Sequence, residues 1–158
     1  MDTEEYISVS KYAQGKFEIK NIEKYAGKRM PTYRSSWEWA FMNFCDNHPN
    51  IIQWANESIH IPYYNPFTQK NTIYVPDFFV VYQGKDGVRK AELVEIKPSG
   101  EVMETVGKGQ RNQAMAALNQ CKWQAAQAWC KSQGITFRVI TENEMFHNPK
   151  KVRKFKTR

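Results

Sequence analysis

The stretch Tyr74–Pro98, YVPDFFVVYQGKDGVRKAELVEIKP, decides how this chain is read. Two runs rich in β-branched and aromatic residues flank Gly84-Lys85-Asp86-Gly87, and a three-residue loop Lys85-Asp86-Gly87 with Gly87 in the left-handed region is a common hairpin connection. That loop sets Gly84 opposite Val88, and counting back along both strands sets Asp77 opposite Glu95. Side chains alternate between the faces of a strand, so Lys97 shares the face of Glu95, while Val94 and Ile96 point the other way, into a core.

Two carboxylates opposed on neighbouring strands, with Cβ atoms about 5 Å apart, repel each other and weaken an ordinary sheet. A hard divalent cation offsets that repulsion, since Mg²⁺ (or Mn²⁺) takes oxygen ligands from one or two carboxylates and fills its remaining positions with water and phosphate oxygens. In a phosphodiester hydrolase the metal polarises the phosphate and acidifies the attacking water, while a lysine orients that water or stabilises charge in the transition state. The plainer alternative is a salt-bridged sheet face in which Asp77 and Glu95 share Lys97 with no metal. The proline before Asp77, the lysine two residues after Glu95 and the apolar flanks weigh against it.

Outward from this hairpin, SSWEWAFMNFCDNHPN predicts a first helix beginning at Ser35, with Trp37, Phe41, Phe44 and Cys45 on one face and an end before Pro49. The segments 55–64 and 71–83 read as strands joined by the turn-forming NPFTQK, and 88–97 as a third strand that ends at Pro98. From about Gln110 to Gln133, Ala114, Leu118, Cys121, Ala125 and Ala128 form a helical stripe, with Gly134 as terminator. ITFRVI is a short strand, and Thr141 with Glu144 is a capping box for a last helical turn. Residues 1–33 show weak periodicity and read as an N-terminal arm or accessory segment, to which no chemistry is assigned.

At 158 residues the chain has room for one domain with a hydrophobic core. It has no apolar run of the ~20 residues a membrane-spanning helix needs, and MDTEEYISVS does not resemble a signal peptide, so a soluble intracellular protein is expected. Cys45, Cys121 and Cys130 are an odd count without paired spacing, which argues against a disulfide framework. Cys45, His48 and His60 lack an evident fourth zinc ligand.

The formal net charge is +7 and unevenly spread: no acidic residue lies between Thr105 and Thr141, and the tail HNPKKVRKFKTR, residues 147–158, carries six cations and no carboxylate. A basic helix beside a basic tail suits nucleic acid, because neutralised phosphates release counterions. Lys108, Arg111, Lys122, Trp123, Lys131, Lys150, Lys151, Arg153 and Lys154 are the candidate DNA contacts, Trp123 on the ground that it lies off the apolar stripe and an exposed Trp can stack on a base. An ordinary polar helix face and a solvated tail are the alternatives.

Pro76-Asp77 followed by Glu95-Ile96-Lys97 resembles the PD-(D/E)xK nuclease motif. The element order, from Ser35 to Glu144, resembles the common core of that superfamily. The resemblance implies an α/β, restriction-endonuclease-like core of order α-β-β-β-α-β, a mixed sheet flanked by helices, over residues 34–146. It implies a metal-dependent DNA endonuclease that leaves 5′-phosphate and 3′-hydroxyl ends. Asp77 and Glu95 would be metal ligands, the Ile96 carbonyl a further one, Lys97 the catalytic lysine and Glu38 an added carboxylate from the first helix. Glu38 has a local alternative, since Ser35 and Glu38 also form an S-x-x-E capping box.

Within the superfamily, RSSWE, YVPDFFV, VEIKP and ITFRVITE together are most similar to the small phage head-completion nucleases, and also resemble the endonuclease subunit of Tn7-type transposases. By that likeness the expected role is late in head assembly, on packaged DNA or its ends, in the host cytoplasm or with the virion, with DNA and phage head or portal proteins as partners. A structural DNA-end or portal-binding factor, or a transposase subunit, is the alternative. Many nucleases of this fold cut duplex DNA as pairs, so a dimer is compatible.

Overall fold

A computed structural model of the chain describes residues 14–99 and 109–145. Strands β1 (Gly15–Lys16) and β2 (Thr32–Tyr33) pair antiparallel across a single 3-10 turn, Ile22–Lys24. Helix α1 (Ser36–Asn47) follows, then β3 (Ile51–Asn56), β4 (Ile61–Asn65), β5 (Lys70–Tyr74), β6 (Phe78–Gln83) and β7 (Arg89–Ile96). Helix α2 (Gln110–Gln133), β8 (Thr136–Ile140) and the short α3 (Glu142–Met145) complete the described part.

The central sheet has the order β3-β6-β7-β8, antiparallel except for the last pair, β7 and β8, which run parallel across the α2 crossover. Phe78, Val80, Val94, Ile96 and Ile140 face α1, where they meet Trp37, Phe41, Met42, Cys45 and Trp54. Leu93 with Phe79, Phe137 and Val139 faces the other way, against Trp123, Ala126 and Cys130 of α2 and Ile61 and Tyr74 of the β4–β5 ribbon. This is the expected α/β class with a mixed sheet flanked by helices, and α1, β3, β6, β7, α2 and β8 follow the order α-β-β-β-α-β of a restriction-endonuclease-like core.

Two strand expectations are corrected. The first sheet strand is IIQWAN, with Trp54 fully buried, rather than the segment 55–64, which splits into the end of β3 and the start of β4. The single strand expected at 71–83 is two, because Pro76 has no amide hydrogen for a ladder and the chain changes layer at Val75-Pro76. The ribbon β4–β5 is therefore a separate two-stranded sheet inserted into the core order.

Helix α2 has the expected bounds, and Gly134, at φ +73°, closes it by donating to the carbonyls of Cys130 and Lys131. Its buried face differs from the expected stripe: Trp123, Ala126 and Cys130 are buried, whereas Ala128 is exposed. Trp123 offers the most apolar area, so it sets the rotation of the helix, and its ring is packed in the core rather than free to stack on a base.

The described part of residues 1–33 packs on the core. Phe17 and Tyr33 are buried in the α1-side cluster, and Tyr25 bridges to Trp54 with its ring 4.7 Å away in an edge-on contact. Asp46, near the end of α1 and fully buried, accepts the amides of Lys20 at 2.8 Å and Asn21 at 3.0 Å and so fastens this segment.

Candidate active site

Gly87 at φ +79° makes the left-handed step of the β6–β7 hairpin, its amide donating to the Gly84 carbonyl and that of Gly84 to the Val88 carbonyl, both at 2.9 Å. The register that follows, Gln83 opposite Arg89 and Phe78 opposite Val94, brings Asp77 across from Glu95 as the turn chemistry dictated. Asp77 sits just before β6, where its Oδ2 accepts the Ile96 amide at 2.8 Å. Its carbonyl accepts from the Glu57 amide at 2.9 Å and the Asn56 side chain at 3.0 Å. Amide and carbonyl of one strand residue point to the same edge, so the Ile96 carbonyl lies on the Asp77 side. The Lys97 amide donates instead to Ile140 on β8.

Both carboxylates are held in a poor environment for charge. Burial pushes the Asp77 carboxyl well above its usual range, the charges on Glu95 and Glu38 push it further, and the Ile96 amide and Lys97 only partly oppose this. Burial also raises Glu95, against the lowering effects of Tyr74, Lys97, the Asp77 amide and Lys122. Glu95 Oε1 and the Tyr74 hydroxyl are buried and close enough to act on each other, yet neither makes a hydrogen bond of good geometry. An unpaired buried carboxylate oxygen costs about 1–3 kcal/mol or more, and one facing a second carboxylate is the donor set a hard divalent cation satisfies. The residues therefore fit the divalent cation that the motif implies, which Asp77, Glu95 and the Ile96 carbonyl would hold.

Glu38 stands at the margin of this pair. Its amide donates to Ser35 Oγ at 3.2 Å, and its carboxylate accepts from the Arg34 amide at 3.4 Å and Ser35 Oγ at 3.3 Å, so the helix cap is formed. Its charge is also felt at Asp77, and burial raises its own carboxyl. Among the described residues no three His, Cys, Asp or Glu side chains stand close enough to hold one ion. Glu38 thus joins the site electrostatically, with a capping role in hand.

The expected DNA contacts scatter. Lys122 lies closest to the chemistry, its ammonium 5.8 Å from the centre of the Tyr74 ring and near enough to lower Glu95. Arg111 and Lys131 are exposed near opposite ends of α2. Lys108, Lys150, Lys151, Arg153 and Lys154, with the whole tail 147–158, lie outside the described residues. Sequence reasoning passed over Tyr74, three residues before Asp77, and the pair Arg34–Glu57. Arg34 Nε and Nη2 hold the two Glu57 carboxylate oxygens at 3.2 Å each, beside Glu38 and Asp77. Glu57 follows β3 in the left-handed region, φ +50°, a placement that no local pattern announces.

Comparison with known proteins agrees with this geometry. The family described as TnsA-like endonuclease N terminal matches residues 48–142, which run from the start of β3 through β8 and include Asp77, Glu95 and Lys97. A head completion nuclease of Enterobacteria phage T4 is 34% identical over 140 residues, covering 82% of this chain and 91% of the phage protein. The hairpin that opposes Asp77 to Glu95 thus lies inside a match that takes in more than half of the sequence, and the chain belongs to the TnsA-like endonuclease family.

Proposed function

We propose that this endonuclease hydrolyses DNA phosphodiester bonds with a divalent cation, Mg²⁺ or Mn²⁺, and that it acts in phage head completion. The observation that carries the chemistry is the opposition of two carboxylates, half-buried Asp77 and buried Glu95, with Glu95 Oε1 making no hydrogen bond of good geometry. The near full-length similarity to the phage T4 head completion nuclease supports the setting. A cation held by Asp77, Glu95 and the Ile96 carbonyl would polarise the scissile phosphate and acidify the attacking water.

The protein's own residues divide the remaining work. Asp77 is fixed by the Ile96 amide, so its second oxygen is aimed without further ordering. Lys97, on the face of Glu95, orients the water and offsets charge on the phosphorus centre as the water oxygen bonds to it and the P–O3′ bond breaks. Water gives up its proton, the 3′-oxygen takes one, and the products are a 5′-phosphate and a 3′-hydroxyl.

The test is cleavage of supercoiled and linear DNA by wild type, Asp77→Asn and Lys97→Ala, with Mg²⁺ and with EDTA. Metal-dependent cutting by wild type alone is the expected result. Full cleavage by either folded variant would sink the assignment of the site. A transposase-type reading, in which this chain is one subunit of a larger cutting machine, predicts instead that wild type cuts only when a second, end-recognising protein is added.

A further inference from the structure

An open cleft of about 800 Å³ lies beside Asp77, its lining including Val75, two residues before Asp77, and Asn56, whose side chain bonds the Asp77 carbonyl, and its rim carries Lys28, Arg29, Arg34 and His60. Glu57 is the acidic member of this lining, and it is already engaged by Arg34 at 3.2 Å. The wall is built rather than loose. The Tyr25 hydroxyl donates to the Arg29 carbonyl at 2.6 Å, and a Cβ at Gly27 would stand 2.4 Å from that hydroxyl, so glycine is what lets the turn close over the ring. Asn56, buried at the floor, accepts the Thr32 amide at 3.0 Å through Oδ1 and donates through Nδ2 to the Asp77 carbonyl at 3.0 Å. Wall and floor are thus joined to the backbone of Asp77 by a short run of hydrogen bonds.

We infer that this cleft is the channel for the DNA backbone, with Lys28 and Arg29 neutralising phosphates next to the scissile one and Arg34 turning from Glu57 to the phosphate nearest Asp77. The inference rests on the nuclease reading for its substrate and adds where the strand lies. The chain's cationic excess in sequence falls elsewhere, on α2 and the tail. Here, however, exposed Lys28 and Arg29 line a concave surface with Arg34, whose guanidinium feels the charge of Asp77, and low-dielectric walls focus their field on a polyanion. Arg34 suits the inner position because its planar fork fits phosphate oxygens as it fits those of Glu57.

The experiment measures binding of a short fluorescein-labelled DNA duplex in EDTA over a range of salt concentrations. It compares the full-length protein, Lys28→Gln/Arg29→Gln, and a charge-matched control, Lys85→Gln/Arg89→Gln, at the hairpin tip and start of β7, far from Asp77. Lys28 and Arg29 are exposed, so the first variant is expected to keep the wild-type melting temperature. Loss of affinity by roughly tenfold, with a salt slope shallower by about two, in that variant and not in the control is the expected result.

Equal loss in both pairs, or none in the first, overturns the cleft assignment, and a conformational failure of the first pair is caught by repeating it as Lys28→Gln and Arg29→Gln singly. Metal-dependent cleavage through Asp77 with unchanged binding would leave the nuclease and remove the cleft. Weakened binding by a protein that never cuts would leave the cleft and remove the nuclease.

Discussion

Asp77 and Glu95 are two carboxyls that the folded chain would rather keep protonated. In the native state each titrates above its ordinary value, first because burial strips water from the charged form. The folded protein therefore binds more protons than the unfolded chain between the usual carboxylate range and the raised values. By linkage their contribution to stability is full below that range and is lost as pH rises through the window. Two outcomes are expected. Asp77→Asn keeps an oxygen for the Ile96 amide while removing the repulsion, so it raises the metal-free melting temperature, more at neutral than at mildly acidic pH, by about 2–4 °C per kcal/mol relieved. Wild type, but not this variant, is further stabilised by Mg²⁺ at neutral pH, which calorimetry with and without EDTA will show. Equal melting temperatures of the two proteins across pH would mean that the carboxylates do not repel.

Hairpin and helix termini are where local chemistry fixes the larger structure. Gly87→Val forces a β-branched residue to φ +79° and is expected to lower stability by roughly 1–2 kcal/mol in urea unfolding. Cleavage per folded molecule should be unchanged, because buried Phe78, Val80, Val94 and Ile96 hold the same register. At the start of α1, Ser35→Ala is expected to cost about 1 kcal/mol. Glu38→Gln, which retains an acceptor for the cap, should instead cut turnover with little loss of stability. Unchanged turnover in Glu38→Gln would leave Glu38 as a cap alone.

This contrast also explains what could be read in advance. The opposition of Asp77 to Glu95 follows from a turn type and a period of two, both local properties. The face of α2 does not, because alanines are spread around the helix and only the bulk of Trp123, meeting Tyr74 and the sheet, decides which side turns inward. The strand Ile51–Asn56 escaped notice for a similar reason: it is buried on both faces near its end, so it lacks the alternation of a half-exposed strand. Arg34 and Glu57 come together only through the tertiary fold, across 23 positions of sequence.

Across the molecule as a whole, one buried acid ties the segment around Lys20 and Asn21 to its centre. Asp46→Ala leaves the Lys20 and Asn21 amides without their acceptor and is expected to destabilise the protein by on the order of 3 kcal/mol. Proteolysis should then nick the segment around residues 20–30 before the sheet is attacked. Wild-type resistance in that variant would mean that Phe17 and Tyr25 suffice to hold it.

The two carboxylates and the lysine occupy one short hairpin, while the basic wall of the cleft comes from a separate segment fastened to the sheet through Tyr25, Asn56 and Asp46. If the proposed cleft binds the strand, its exposed cations Lys28 and Arg29 lie on a piece of sequence separate from the hairpin that carries the carboxylates. Exposed Lys28 and Arg29 could then change, and with them the grip on the backbone, while the buried neighbours Pro31 and Tyr33 keep the wall and the hairpin in place.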